Sequence, residues 1–398
     1  MAAPYFSIVI PTRNRPQFIL DTVISAAEQH FESFEVIVSD NSTDEATQAC
    51  LRESKLAGKI TYVRPPQQAS MPDHWEFATL QANGRYVLVL TDRSVLRQGA
   101  LEIVGQAIDR YGQDRIDLCA WRWSLFDDGL GITLSDATLD PKPASRMFSS
   151  KDVAAAFVGP QNAYPYTLPR GLNSCYGAAL AARIRARHSR MFSPISPDFA
   201  SAFLLLAHAG ELLYIDTPLF FSRGLSSSTG GNASLSDATR YMETLGLEQW
   251  YRYVPIKAAL VENLIYEDFL AMRDKAGGGL QVELNWVEYF VRCYKELLGK
   301  RGRKIMPDDQ IALLFREWDR ALKSMNATIQ EQVALETQSL LGLKLRAAVR
   351  ELPFGHRLAS VFRNLILRLS ALTRARTTVL NAAGFERLRN SDVGPAGI

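Results

Sequence analysis

Short apolar, β-branched runs alternate with stretches of helical spacing over residues 6–111. Phe6–Ile10 is apolar and branched, and Pro11 is its expected stop, which predicts a buried parallel strand. Over 17–30, Phe18, Ile19, Thr22, Val23 and Ala26 recur at helical spacing. Val36–Val38 predicts a second strand, ending at Ser39-Asp40-Asn41-Ser42; Ser42 or Thr43 suits a helix cap, with Asp44 and Glu45 in the first turn. Ile60–Val63 is a third strand closed by Pro65-Pro66, followed by a helix over 72–83 that ends at Asn83-Gly84. Tyr86–Leu90 is a fourth strand, ending at Thr91-Asp92-Arg93-Ser94, and Gly99–Tyr111 is the next helix. This alternation predicts an α/β layered domain with a mostly parallel sheet.

Beyond it, strands are expected at Asp117–Trp123 and Leu212–Ile215, and a helix at Phe199–His208. Trp121 and Trp123 share one face of their strand, which favours core for both. The segments 127–146 and 159–173 read as loops, and the Ser- and Gly-dense 222–234 as a lid. From Asp237 onward the periodicity is helical only. The expected organisation is a sheet domain over 1–235, a helical domain over 236–342 and a tail over 343–398.

Composition changes the picture little, except in the tail. With 398 residues, 47% hydrophobic and 22% charged, the chain suits a soluble globular protein of more than one unit. Cys50, Cys119, Cys175 and Cys293 form no CxxC pair, which disfavours a structural zinc or a disulfide framework and fits a reducing compartment. No signal-peptide pattern opens the sequence, and no apolar run reaches the roughly 20 residues of a membrane-spanning helix. The expected location is the cytoplasm. The net charge of +3 is uneven: Leu343–Arg389 holds ten basic and two acidic residues, leaving 35 basic against 40 acidic elsewhere. In that tail Leu358, Val361, Phe362, Leu365, Leu369 and Leu372 recur at helical spacing among Arg357, Arg363 and Arg368. Such a helix suits an anionic membrane surface, on the inner face of the plasma membrane, and equally suits packing on the sheet domain. Few aromatics accompany the charge, so nucleic acid is not an expected partner.

Ligands of open parallel sheets bind beyond the carboxyl ends of the strands. Three of the first four strands end in polar groups: Pro11-Thr12-Arg13-Asn14, Asp40-Asn41 and Asp92-Arg93-Ser94. A carboxylate there accepts hydrogen bonds from a ribose or base, and Arg13 offers a planar fork to a pyrophosphate. The chain has neither GxGxxG nor GxxxxGK[ST], which disfavours a dinucleotide dehydrogenase and a P-loop nucleotidase.

Ser7-Ile8-Val9-Ile10-Pro11-Thr12-Arg13-Asn14-Arg15, then Glu35-Val36-Ile37-Val38-Ser39-Asp40-Asn41-Ser42-Thr43-Asp44, then Gly84–Leu90 before an aspartate, resemble in order and spacing a family 2 glycosyltransferase of GT-A fold. The likeness is good over the first 110 residues or so, weaker at Ser196–Phe199 and Asp216–Leu219, and absent from 240 onward. It implies a GT-A-type sheet flanked by helices, followed by an all-helical C-terminal region. It also implies an inverting transferase that takes a nucleotide-diphosphate sugar as donor and a glycan or lipid-linked hydroxyl as acceptor, in bacterial surface polysaccharide synthesis. By position, Pro11, Thr12, Arg13 and Asp40, with Asn41 beside it, would line the donor pocket. Asp92 would meet the donor ribose and a Mg²⁺ or Mn²⁺ ion, and Asp198 would be the general base.

One position departs from the family. Where relatives often carry a second acid two residues after Asp92, this chain has Ser94. A hydroxyl is a poor replacement for an anionic ligand of a hard cation. Three outcomes follow: weak metal binding, Arg93 supplying the charge as a catalytic group, or lost activity. The last would leave a binding or scaffold module. A nucleotidyltransferase would need a glycine-rich loop after the first strand, and Pro11–Pro16 has no glycine. Plainer readings stand beside these: Asp40 as a cap, Asp92 as a turn acid, Asp198 as a first-turn acid favoured by the helix dipole, Arg93 as a solvated side chain. His74 and Trp75 suit core as well as an acceptor wall. His188 and His208 lack partners at metal spacing and read as structural.

Overall fold

The computed structural model describes residues 3–350, except 55, 57, 127–139, 141, 160–166, 193–194, 224–238, 244, 246–250 and 305. Most of the two expected loops at 127–146 and 159–173, the lid and the tail beyond 350 lie outside those residues. The elements in chain order begin with β1 (Phe6–Thr12), α1 (Pro16–Ala27), β2 (Phe34–Asp40), α2 (Ala46–Glu53), β3 (Thr61–Val63), α3 (Met71–Leu80), β4 (Tyr86–Val89), β5 (Ser94–Leu96) and α4 (Ala100–Tyr111). There follow β6 (Leu118–Phe126), β7 (Ser145–Ser149), α5 (Ser150–Val158), β8 (Ser174–Gly177), α6 (Ala178–His188), α7 (Pro197–Ala209) and β9 (Glu211–Arg223). The helices α8 (Thr239–Glu243), α9 (Val261–Ala276), α10 (Trp286–Gly302), α11 (Asp308–Lys323) and α12 (Ala327–Arg350) complete the described chain.

The described strands form one sheet in the order β3-β2-β1-β4-β8-β6-β9-β5, with β7 also paired to β9. β1, β2, β3 and β4 are parallel, whereas β8 runs antiparallel to both β4 and β6. Successive side chains of β1 point to opposite faces. Phe6, Ile8 and Ile10 therefore join a core with α1 and α4, through Val23, Leu101 and Val104. Val9 points to the other face, with Val87, Val89 and Trp75. Burial on both faces is why Ile8-Val9-Ile10 of β1 is an unbroken apolar run. At its far end Gly84 is required: a Cβ there would lie 2.6 Å from Ser7 Oγ and 2.7 Å from its backbone nitrogen.

Several differences from the sequence expectation have local causes. β9 is 13 residues long, because the strand continues through Asp216-Thr217-Pro218 with register shifts against β6 at Trp121/Arg122 and Arg122/Trp123. Its second half finds a partner in β5, so Ser94 begins a strand where a loop was expected. The bulge separates the two tryptophans: Trp121 is in the core, and Trp123 is half-buried. Cys119 and Cys175 face each other across β6 and β8 as buried free thiols.

α9, α10 and α11 share the core beneath α5, α6 and α7, so one hydrophobic cluster runs from Val89 to Phe290 and Trp318. Several buried polar groups in this region are paired, although the Tyr266 hydroxyl has no hydrogen-bond partner among the described residues. Tyr289 Oη donates to Asn263 Oδ1 at 2.6 Å, and the Glu267 carboxylate accepts backbone N–H groups of Arg252, Tyr253 and Val254 at 2.7–3.0 Å. No helix among the described residues is long and apolar enough to cross a membrane.

Candidate active site

The site is built at the carboxyl ends of β1, β2 and β4. Pro11 does not stop β1, which pairs with β2 as far as Thr12–Asp40. Alternate residues of a strand address the same neighbour. Val9 accepts from Leu90 on the β4 side, and Thr12 from Asn41 on the β2 side. The Pro11 nitrogen thus faces the β4 side, where β4 has already ended and no donor is needed.

The loops after β1 and β2 are laced together. Asn14, at φ 54°, donates its N–H to Ser42 Oγ at 2.8 Å, and its Oδ1 accepts from Thr43 N at 2.9 Å. Asp40 is fully buried; Oδ1 accepts from Ser42 N at 2.9 Å and Oδ2 from Tyr62 Oη at 2.8 Å. Asn41 pairs its amide with both backbone groups of Ala69, at 2.8 and 3.1 Å. Asp40 and Asn41 therefore brace the strand-end loops from within, while Arg13 is exposed and donates to Gln68 Oε1 at 3.5 Å. His74 is buried with Nε2 2.9 Å from Ser39 Oγ, and burial pushes its pKa down to about 4. Together with Trp75 it belongs to the core rather than to an acceptor wall.

At the end of β4, Asp92 is nearly buried. Thr12 Oγ1 donates to Oδ2 at 2.9 Å, and the Arg15 guanidinium donates to Oδ1 at 3.1 Å. Burial raises its pKa, opposed by the charge of Arg15, the Thr12 bond and the charge of Arg93. Arg93 does not stand free beside it: its guanidinium donates to Ser222 Oγ at 2.9 Å and to the carbonyl of Arg223, tying the start of β5 to the end of β9. Burial pulls the Arg93 pKa down to about 10; the charges of Arg15 and Arg170 act the same way, and Asp92 and Asp198 oppose them.

The other half of the site comes from α7. Pro197 opens the helix and Asp198 sits in its first turn. The Asp198 side chain is 24% exposed and lies 4.0 Å from Arg170. Desolvation raises its pKa, countered by Arg170, by the first backbone N–H groups of the helix and by Arg93. The Arg170 guanidinium sits over the rings of Trp123, at 4.9 Å, and Phe199, at 5.0 Å, which fixes its head beside the carboxylate. Asp92 and Asp198 thus flank a group of three guanidiniums, those of Arg15, Arg93 and Arg170.

This donor set does not fit a hard divalent cation. Asp92 is a single carboxylate, both of whose oxygens are already engaged. Ser94 Oγ is fully buried and 2.6 Å from Thr91 Oγ1, so it does not face outward as a ligand. Among the described residues no three His, Cys, Asp or Glu side chains gather as ligands do. Asp92, the position expected to meet a metal, forms an ion pair with Arg15. His188 and His208, read as structural, meet each other with Nε2 atoms 2.8 Å apart, linking α6 to α7.

Sequence reasoning missed Arg15 and Arg170 as site residues. Arg15 stood inside the first motif, one residue past the polar group that drew attention. Arg170 lies among prolines and glycines and carries no signal of its own.

Residues 7–144 match the Glycosyl transferase family 2 profile. No curated protein matches the chain in sequence. Among solved structures, Staphylococcus aureus TarS 1–349 in complex with UDP-GlcNAc is 18% identical, over 85% of this chain and 92% of that one, with a TM-score of 0.47. The mannosyltransferase PcManGT from Pyrobaculum calidifontis, in complex with GDP-Man and Mn²⁺, is 13% identical over 85% of each chain, with a TM-score of 0.40. Scores below 0.5 leave the family match as the ground for assignment, and the sheet with its flanking helices agrees with the GT-A architecture that the motifs imply. Over residues 7–144 the chain is a family 2 glycosyltransferase domain.

Proposed function

We propose that the chain transfers a sugar from a nucleotide-diphosphate donor to a hydroxyl of a glycan or lipid-linked acceptor, with inversion, in bacterial surface polysaccharide synthesis. The reading is carried by the group of three guanidiniums between Asp92 and Asp198. Donor binding falls to the strand-end loops, with Pro11, Thr12, Asp40 and Asn41 as wall and Arg13 as the exposed cation. Asp198 takes the proton of the acceptor hydroxyl while its oxygen attacks the anomeric carbon opposite the leaving diphosphate. Its raised pKa suits a base, since proton transfer is most efficient when the base is not far weaker than the medium demands. As the anomeric C–O bond breaks, its electron pair stays on the diphosphate, which gains one negative charge, and fixed guanidiniums stabilise it without reorganising. Arg15, Arg93 and Arg170 supply that field here, and no metal enters the proposed step.

A second reading, donor binding without transfer, is favoured by one observation: both oxygens of Asp92 are closed off by Thr12 and Arg15. The test is a thermal-shift screen against UDP-, GDP-, dTDP- and CMP-sugars, followed by nucleoside diphosphate release from the donor that binds. Binding with release supports the transferase, binding without release supports the second reading, and no binding contradicts both. The proposed organisation keeps the sheet unit to residue 235 as the donor-binding part. Membrane contact through 343–389 is tested by sedimentation with anionic liposomes at low salt.

A further inference from the structure

The helical region beyond residue 235 grips the chain just before Asp198. Ile195 and Ser196 precede the first turn of α7 and carry no side-chain cap of their own. Asp268, on α9 and 1% exposed, accepts the Ser196 N–H at Oδ2, 2.6 Å away. Tyr241, on α8, donates its hydroxyl to the carbonyl of Ile195. The Ile195 side chain is buried in a small cluster with Met242 of α8 and Leu264 of α9. Burial, together with the charges of Asp198 and Asp268, pushes the Tyr241 pKa up, so its hydroxyl remains a donor at neutral pH. A donor, an acceptor and an apolar seat therefore act on two consecutive residues, and all three come from outside the sheet.

We propose that Asp268 and Tyr241 are positioning residues for Asp198: the helical region sets where the base stands by fixing the backbone that leads into it. This rests on the reading of Asp198 as the base. The physical logic is simple. The first turn of a helix has N–H groups without helical partners, so its position depends on outside acceptors. A buried carboxylate is a strong acceptor, because a charge-assisted bond is short and geometrically demanding. Small misplacements of a reacting group reduce rate sharply while leaving binding elsewhere untouched.

Two measurements on the full chain test this. Amide hydrogen exchange of Asp268→Ala should show protection over 195–200 lowered by about tenfold or more, as expected for loss of a bond to a charged group, with α6 and α10 unchanged. Release of nucleoside diphosphate from whichever of UDP-glucose, UDP-GlcNAc and GDP-mannose gives the largest thermal shift should fall by about tenfold or more, with the donor KM held within about twofold. Asp268→Asn, whose amide oxygen still accepts, should recover most of both, and it carries the test if the alanine variant does not fold. In an Asp198→Asn background Asp268→Ala should reduce the rate no further, since both act through one group. Unchanged exchange at 195–200, or protection lost together across α7 and α9, would overturn the proposal. So would full rate in Asp268→Ala when Asp198→Asn is slow. Full rate in Asp198→Asn would instead remove the base assignment alone and leave the exchange result to decide the clamp.

Discussion

The two halves of the site differ in how their polar groups are satisfied. On the β1–β2–β4 side, Thr12, Asn14, Asp40, Asn41 and Asp92 hydrogen-bond to one another's loops, and most are buried. On the α7 side, Asp198 and Arg170 are about a quarter exposed, 4.0 Å apart, and shifted in pKa by burial against the charged form. The first half is a finished cradle whose shape is fixed before any ligand arrives. The second keeps charges incompletely solvated and incompletely paired, which is the condition for proton transfer near neutrality. In the proposed function, preorganisation thus belongs to the strand-end loops and reactivity to the start of α7.

Asp198→Asn, on the α7 side, should have the largest effect. Turnover should fall by about 10²–10⁴-fold while donor affinity is kept, measured by steady-state release of nucleoside diphosphate and by thermal shift. Folding raises the carboxyl pKa, so the native state takes up a proton between the unfolded and folded values. The stability contribution is then full below the ordinary value near 4 and lost as pH rises through the raised one. Asp198→Asn should therefore raise Tm at pH 7 and not at pH 4. A rise equal at both would show that desolvation of the charged form is not what the substitution relieves.

Asp40→Ala probes the other half and should behave differently. From sequence alone a strand-end carboxylate is expected to leave the fold intact when removed. The buried bonds from Ser42 and Tyr62 change that expectation. Loss of their acceptor should cost about 1–3 kcal/mol of stability, along with donor binding, read by denaturant titration and thermal shift. Tyr62→Phe should weaken donor binding in the same direction by a smaller amount if the wall's shape is what counts.

The smallest effect is expected at the His188–His208 contact, beneath the far end of α7. Burial lowers both pKa values, and the neighbouring charges of Arg187, Arg183 and Lys275 add to it. Folded values below the ordinary 6.5 or so give a stability that is present above that pH and lost as pH falls through the folded values. Thermal melts between pH 7 and 5 should show this loss, and His208→Gln should flatten it, at about 1 kcal/mol of stability at neutral pH.

The parallel strands were legible because burial on both faces writes itself as unbroken branched runs, as in Ile8-Val9-Ile10 and Val36-Ile37-Val38. β8 was not, since Ser174-Cys175-Tyr176-Gly177 has no branched residue and owes its place to β4 and β6 on either side. β9 was half legible: Asp216-Thr217-Pro218 looks like an end until a bulge and β5 carry the strand past it. In the site, the motif positions came from local spacing, which a sequence records. The Arg15–Asp92 pair spans 77 positions, and Arg170 reaches Asp198 from a stretch whose prolines and glycines mark a loop and nothing more. Such pairings depend on tertiary closure, and a single sequence holds no trace of them.

In the proposed function guanidiniums take the place of a metal at Asp92. The most direct measurement is the rate of sugar transfer or donor hydrolysis in EDTA against the rate with Mn²⁺ or Mg²⁺ added. The two rates should be equal within about twofold, with Arg15→Ala reducing the metal-free rate by roughly tenfold or more, as expected on losing a charge-assisted bond. An enzyme silenced by EDTA and restored by low Mn²⁺ would contradict it, and would mean that the Asp92–Arg15 pair opens to admit the ion.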